Sequence, residues 1–418
     1  MKRFIIFLFS FIIDRKAPST NIIPHIFDNV KEIKTNNMKT CAIICEYNPF
    51  HNGHLYHLNT ARERSGADAI ICVMSGNFVQ RGEAAIMDKY TRAKHAVLAG
   101  ADAVIELPTL FATSNAELFA KGAIHLLSSI PCVQSLCFGA ENAEKTAFLL
   151  SARYLNNEPK EVSEKLKAET QKGASYAKAR ANAWAGFLPL DLLCSPNNIL
   201  GLEYTKAILS RGLEIEILPI QRKGAGYSDF SLQENFSSAT AIRAAILKGE
   251  RLQNNLPDFM LGDLPTTLET GLDVLEKYAV LASSKEEISS VCDCTEGLEN
   301  AFKRAALQDE PFVKTLTSAR YTSSRIRRIA LQNLLKIREN TIRESLLNPL
   351  YLNVLAIKKE RKDLLSALGE SSFPLLIRAH DEDVLTGASK QAFEIDRFAD
   401  QTYGLLYETN KQEKNVFI

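Results

Sequence analysis

Short apolar runs alternate with amphipathic stretches from Thr40 to Ile220. Residues 41–45 (Cys-Ala-Ile-Ile-Cys) are apolar and partly β-branched, the pattern of a buried parallel strand. Behind them Leu55, Leu58 and Ala61 recur at helical spacing, so a first strand hands over to a first helix near residue 52. Further strands are expected at 69–74, 103–107, 135–138 and 214–220. Helices are expected at 88–99, 115–129, 143–154, 160–170, 176–187 and 196–210. This alternation predicts an α/β fold built on a doubly wound parallel sheet. From about residue 250 the pattern changes to long helical stretches without strand–helix alternation. The expected division is therefore a catalytic domain at 38–249 and a mainly helical domain at 250–418.

Length and charge narrow the picture. A chain of 418 residues has material for two or three domains. Its net charge of +1 excludes a uniformly basic nucleic-acid binder, so any basic surface is local. The eight cysteines show no paired C-x-x-C spacing and several fall in predicted strands, a reduced, cytoplasmic pattern. Residues 1–37 pull the other way, because Lys2-Arg3 followed by an apolar run to Ile13 looks like part of a signal peptide. The run is too short to span a bilayer, and no clean cleavage site follows. The expectation is an N-terminal extension outside the fold, with a membrane anchor as the alternative, and a chain starting at Met38 that folds and works without it.

Candidate chemistry sits at the first strand–helix junction, Glu46-Tyr47-Asn48-Pro49-Phe50-His51-Asn52-Gly53-His54. In an open α/β sheet the ligand crevice lies at the carboxyl ends of the strands. A helix N-terminus there offers N–H groups and a positive dipole end to a phosphate. His51 and His54 can donate to anionic oxygens, and Gly53 lets a ligand approach the backbone. The alternatives are a zinc pair or two histidines that merely cap the helix. Against zinc stand the missing Cys or Asp partners.

Two further stretches carry polar groups. At 237–243 (Ser-Ser-Ala-Thr-Ala-Ile-Arg) hydroxyls open a helix with Arg243 in its first turns. A plain N-cap is the common fate of such a string. Its place one strand–helix unit from the end of an H-x-G-H domain favours phosphate contact by Ser238, Thr240 and Arg243. At 320–328, Arg325, Arg327 and Arg328 open a helix as a basic stripe. Such a stripe is either a solvated face or a contact to RNA phosphate.

The H-x-G-H arrangement resembles the signature of the HIGH nucleotidyltransferase superfamily. The wider set of motifs resembles the tRNA(Met) cytidine acetate ligase family: EYNPFHNGHLYHL at 46–58, MSGNFVQRGE at 74–83, VIELP at 104–108, FGAEN at 138–142, PNNILG at 196–201 and SATAIR at 238–243. The match runs from Met38 onward and is looser in the helical half. The resemblance implies that acetate and ATP form an acetyl-adenylate, which acetylates N4 of the wobble cytidine of elongator tRNA(Met). It implies roles for His51 and His54 at the phosphates. It further implies that ATP is framed by Ile44, Cys45, Glu46, Tyr47, Asn48, Pro49, Phe50, Asn52, Gly53, Leu55, Tyr56 and His57. Gly139, Asn197 and Arg222 complete that frame, with Asn198 and Lys223 adjacent in register. Mg²⁺ is expected with ATP, but no carboxylate cluster at metal spacing assigns its ligands.

Two rival readings belong to other classes. A small-molecule adenylyltransferase would need only about 200 residues, leaving the C-terminal half without a purpose. A non-catalytic nucleotide-dependent RNA-binding protein would have no need of both His51 and His54.

Overall fold

The computed structural model describes residues 38–173, 176–223, 232, 236–265, 271–378, 380–407 and 416–418. The extension expected at 1–37 lies outside the described residues. Nine strands are described: β1 (Thr40–Cys45), β2 (Ala69–Ser75), β3 (Phe78–Val79), β4 (Glu83–Ala84), β5 (Ala103–Leu107), β6 (Val133–Ala140), β7 (Glu216–Gln221), β8 (Leu352–Ile357) and β9 (Leu375–Leu376). Seven of them form one sheet in the order β7-β6-β1-β2-β5-β8-β9. Within it β1, β2, β5, β6 and β7 run parallel, as their apolar runs predict. Their side chains divide by alternation. Ala42, Ile71, Val73, Ile105 and Leu136 face one core, and Cys41, Ile43, Ile70, Cys72 and Val104 face the other. All eight cysteines are free thiols.

Helices cover both faces. On one side lie α1 (Asn52–Ser65) and α2 (Lys89–Leu98), which contribute Leu58, Ala61, Ala93, Ala96 and Val97. On the other lie α3 (Ala116–Leu127) and α4 (Pro196–Ser210), with Phe119, Ala123, Leu202 and Ala207. After β7 come α5 (Ala239–Leu247), α6 (Leu272–Ala282), α7 (Ser323–Leu334) and α8 (Gly387–Leu406). A separate apolar cluster around Val280, Phe302, Phe312, Ile326 and Ile329 gives the helical region a core of its own.

Beyond residue 250 the chain nevertheless returns to the sheet. Residues 352–357 pair antiparallel with β5, against the expectation of a wholly parallel sheet followed by helices. All six are buried, and apart from Asn353 they form a short apolar run that helical periodicity absorbs. Asn37–Ile418 form one compact unit. A second departure is the short β3–β4 pair inside the polar loop expected after β2.

Buried charge ties α8 to this part of the sheet. Lys89 donates to Glu106 (2.8 and 2.9 Å) and to Asp400 (2.7 Å). One turn from Asp400, Asp396 accepts the Thr109 N–H (2.7 Å) and the Tyr351 hydroxyl. One ammonium facing three carboxylates leaves a proton to be shared. Burial first, and then the Glu106 charge, push Asp396 up from 3.8 to about 7. Between those values the folded chain holds a proton that the unfolded chain has released. This group's stabilisation is therefore complete below the unfolded value and is lost as pH rises through the folded one. Asp396→Asn should flatten stability against pH across that window, as read by denaturant unfolding at mildly acidic and mildly alkaline pH. An unaltered pH slope in the variant would place the proton elsewhere.

Candidate functional site

The carboxyl ends of β1, β6 and β7 open into a cleft, and a buried arginine ties neighbouring backbone together beside it. Arg92 of α2 donates to the carbonyls of Met87 (2.9 Å), Glu46, Ser75 (3.1 Å) and Gly76. A planar five-donor fork suits this bridging of strand ends, and a lysine could not copy it. Arg92 was not among the expected site residues; its only sequence signal is a charge among Ala93, Ala96 and Val97 on a core-facing helix.

His51 is the N-cap of α1, and its Nδ1 accepts the Gly53 N–H at 3.0 Å. Its proton therefore sits on Nε2. A Cβ on Gly53 would lie 2.8 Å from the His51 ring, so this glycine makes room for the histidine rather than for a ligand. The Asn52 N–H is also taken, by the Asn255 carbonyl at 3.0 Å. The amides expected to face a phosphate are thus partly occupied, leaving side chains and the helix dipole to do that work. The His54 ring stacks on His51 at 3.7 Å and lies 4.9 Å from Tyr47 and 5.7 Å from Phe50. Its Nδ1 is buried and unpartnered among the described residues.

All three histidines of this stretch are neutral in the free protein. Burial, then Arg222 and Arg243, lower His51 to about 3. Burial and Arg222 lower His57 to about 4. His54 is held well below its usual value by burial and then by its neighbour His51. An imidazole buried beside guanidinium groups does not readily take a second charge, so each ring donates from one nitrogen only. A triphosphate entering the cleft would push the other way. kcat/KM for ATP, which reports the free enzyme, should therefore show no ionisation from these histidines near pH 6.5. A limb there that disappears in His57→Ala would contradict the assignment.

The second signature packs onto the first. Arg243 donates to the Asn48 carbonyl at 2.8 Å, while Asn48 Oδ1 accepts the Ile86 N–H at 2.9 Å. Thr240 Oγ1 accepts from Arg81 (3.3 Å) and Arg243 (3.4 Å). Ser238 caps α5 by accepting the Ala241 N–H at 3.1 Å, the bland role, and also lines the cleft. From the other wall come Gly139, Arg222 and Lys223, with the Lys223 ammonium 4.3 Å above the Tyr56 ring. Asn197 reaches the cleft and donates to Glu141. Asn198 is fully buried, its Oδ1 accepting the N–H groups of Glu141 (2.9 Å) and Asn142 (3.1 Å).

Of the remaining expected residues, Ile44, Cys45, Glu46, Tyr47, Gly53 and His57 line the cleft. Pro49 and Phe50 are packed beneath it, and Asn52 and Leu55 turn to neighbouring loops and core. Residues not expected there are Gln80, Arg81 and Glu83 from the QRGE loop, and Phe119, Phe138 and Tyr204. The loop belongs to the motif at 74–83, which was the available signal. Phe138 opens the FGAEN motif at 138–142, whereas Phe119 and Tyr204 carry no signal beyond their core periodicity. No group of three or more His, Cys, Asp or Glu that could hold a metal is found among the described residues.

The arginine stripe lies outside the cleft. Arg325 donates to the Asp293 carbonyl (3.0 and 2.7 Å) and to Thr295 (2.9 Å), and lies over the Tyr321 ring. Arg327 pairs with Glu83 at 2.7 Å and is 36% exposed, whereas Arg328 pairs with Asp293 at 3.7 Å and is 12% exposed. Gly82, at φ +74°, lets the loop touch this helix: a Cβ there would lie 2.6 Å from the Arg328 backbone nitrogen.

Comparison with known proteins agrees with this architecture. The family model for HIGH Nucleotidyl Transferase matches residues 38–416. The tRNA(Met) cytidine acetate ligase of Thermoanaerobacter sp. (strain X514) is 38% identical over 389 residues, covering 89% of this chain and 96% of its own. That of Clostridium novyi (strain NT) is 40% identical over 315 residues, covering 71% and 78%. The crystal structure of Thermotoga maritima TmcAL (apo, form I) superposes with a TM-score of 0.83 at 29% identity, covering 91% of this chain and all of that one. The same protein bound with alpha-thio ATP gives 0.81 at 30% identity, with 91% and 100% covered. With both signatures in one cleft and relatives matched over nearly their whole length, the chain belongs to the tRNA(Met) cytidine acetate ligase family of HIGH nucleotidyltransferases.

Proposed function

We propose that this protein acetylates N4 of the wobble cytidine of elongator tRNA(Met), using ATP and acetate through an acetyl-adenylate. The observation that carries the reading is the joining of the two signatures, Arg243 on the Asn48 carbonyl beside the stacked His51–His54 pair. An acetate oxygen attacks the α-phosphorus of ATP as the bond to pyrophosphate breaks. Acetate is already a nucleophile, so the protein needs only to align the two and neutralise the leaving charge. His51 and His54 donate to phosphate oxygens, and Arg222, Lys223 and Arg243 supply positive charge. The β6 turn at Gly139 and the α4 residue Asn197 border the adenosine. The Mg²⁺ that accompanies ATP carries no step here.

The division of labour proposed along the chain puts nucleotide chemistry at 38–249 and tRNA docking at 250–418. Arg325 and Arg327 are the phosphate contacts that exposure and pairing favour, with Arg328 as their anchor. A tRNA substrate places the work in the cytoplasm, and among the described residues no helix is long and apolar enough to cross a membrane. The test is mass spectrometry of tRNA nucleosides after incubation with ATP, acetate and tRNA. N4-acetylcytidine should appear only when all three are present. Its absence, with an adenylylated small molecule instead, would favour the smaller adenylyltransferase chemistry.

A further inference from the structure

Two polar groups in the cleft take no part in the adenylation step as proposed above. Glu46 is partly buried, and one of its carboxylate oxygens accepts the Gln80 N–H at 2.9 Å. It makes no ion pair with a described residue, although Arg81, Arg222, Lys223 and Arg243 line the same cleft. Glu83, the other lining carboxylate, is instead held by Arg327 at 2.7 Å. A carboxylate not engaged in an ion pair is a ready acceptor for an N–H donor, which suits a partner other than phosphate. Tyr204 of α4 lies near it, 4% exposed, and its hydroxyl makes no hydrogen bond among the described residues. Burial, and then the neighbouring Glu46 charge, push this phenol above its usual value, which keeps it a neutral donor. Phe119 and Phe138 complete the corner, with Phe138 edge-on to Tyr204 at 5.9 Å.

We infer that this corner receives the cytosine ring, with Glu46 accepting an N4–H, Tyr204 donating to N3 or O2, and Phe119 and Phe138 against the ring. The inference rests on the acetyl-transfer reading above. Cytosine's edge offers one donor group and two acceptors, which matches a carboxylate beside a hydroxyl. A splayed base held between aromatic side chains is how proteins reach a single-stranded nucleotide. Uracil would present its O4 acceptor to the carboxylate and its N3–H to the hydroxyl, so the same pair rejects it.

The assignment gives Glu46 a chemical role. The N4 lone pair attacks the acetyl carbon, forming the C–N bond. The acyl C–O bond to phosphate breaks, and AMP leaves with that electron pair. N4 begins with two protons and ends with one; Glu46 takes the other and passes it to solvent.

The test uses the full chain, with Glu46→Gln, which keeps an oxygen for the Gln80 N–H, and Tyr204→Phe, which removes a hydroxyl that has no partner among the described residues. Acetate-dependent ATP–pyrophosphate exchange without tRNA reads adenylation, and single-turnover acetyl transfer reads the second step. Glu46→Gln should lower transfer by roughly 10²–10⁴-fold, well beyond any loss in exchange. Glu46→Asp should recover part of the transfer rate. Tyr204→Phe should weaken discrimination between tRNA with cytidine and with uridine at the wobble position by on the order of tenfold. Equal losses in exchange and transfer, a raised Mg²⁺ requirement in Glu46→Gln, or a raised acetate KM in Tyr204→Phe would each overturn the assignment. Those outcomes would point to adenylation, metal binding or an acyl pocket. Absence of acetate-dependent exchange in the unmodified protein would instead remove the acetyl-transfer reading, and the assignment with it.

Discussion

His54→Ala is expected to lower acetate-dependent adenylate formation by roughly 10²–10³-fold, the usual cost of losing one donor to a developing anionic charge. ATP should still bind measurably, because Arg222, Lys223 and Arg243 remain in the cleft. The effect is catalytic because the ring is fixed before substrate arrives, stacked on His51 at 3.7 Å and flanked by Tyr47 and Phe50. Substitution also removes a buried nitrogen that has no partner among the described residues, so it breaks no bond that holds the fold. His51→Ala should act differently. It should reduce adenylation more mildly, and it should also cost about 0.5–2 kcal/mol of stability, since the Gly53 N–H loses its cap. Pyrophosphate exchange beside thermal unfolding separates the two. Unreduced exchange in both variants would take the pair out of the reaction.

The second large effect concerns tRNA. Replacing Arg325, Arg327 and Arg328 together by Ala should weaken tRNA binding and flatten its salt dependence, with acetyl-adenylate formation nearly unchanged. Each arginine–phosphate pair removed from a duplex region takes about 0.9 off the slope of log K against log salt. The structure apportions this unequally. Arg325 bonds to neutral oxygens and makes no ion pair with a described residue, so Arg325→Ala should take the largest share. Arg327 is half-exposed and can exchange Glu83 for a phosphate, because a surface ion pair is worth about 1 kcal/mol or less. Arg328 is buried beside Asp293, and its loss should appear as instability, on the order of 1–3 kcal/mol, rather than as a change of slope. Affinity at two salt concentrations, with a melting curve for each single variant, resolves the three. An unaltered slope in the triple variant would make the stripe a solvated helix face.

Much of this architecture is legible in the chain because parallel strands are buried on both faces and read as unbroken apolar runs. That holds for β1, β2 and β5, and the H-x-G-H junction follows from β1. The same property hides β8. Residues 352–357 are as apolar as β2, but they follow a long run of helical periodicity and pair antiparallel with a strand far back in the chain. The charge state of the histidines is not a property of their spacing; burial and Arg222, distant in sequence, set it. Nor does spacing show that the amides of Asn52 and Gly53 are already taken, since one acceptor is Asn255, in a loop beyond α5. Three clustered arginines read as a basic stripe until Glu83 and Asp293 are brought beside two of them.

The β5–β8 pairing has a consequence during synthesis. β5 ends at Leu107 and β8 begins at Leu352, so more than half of the chain is made after one partner and before the other. At roughly 5–20 residues per second, the edge of β5 stands open for on the order of 10–50 s after it leaves the ribosome. It is largely apolar and rich in unpaired N–H and C=O groups, a template on which another nascent chain can pair. Lys89 and Glu106 also wait through that interval for Asp400, which is made later still. Translation speed and chaperone supply therefore bear on how much of this protein reaches its native form.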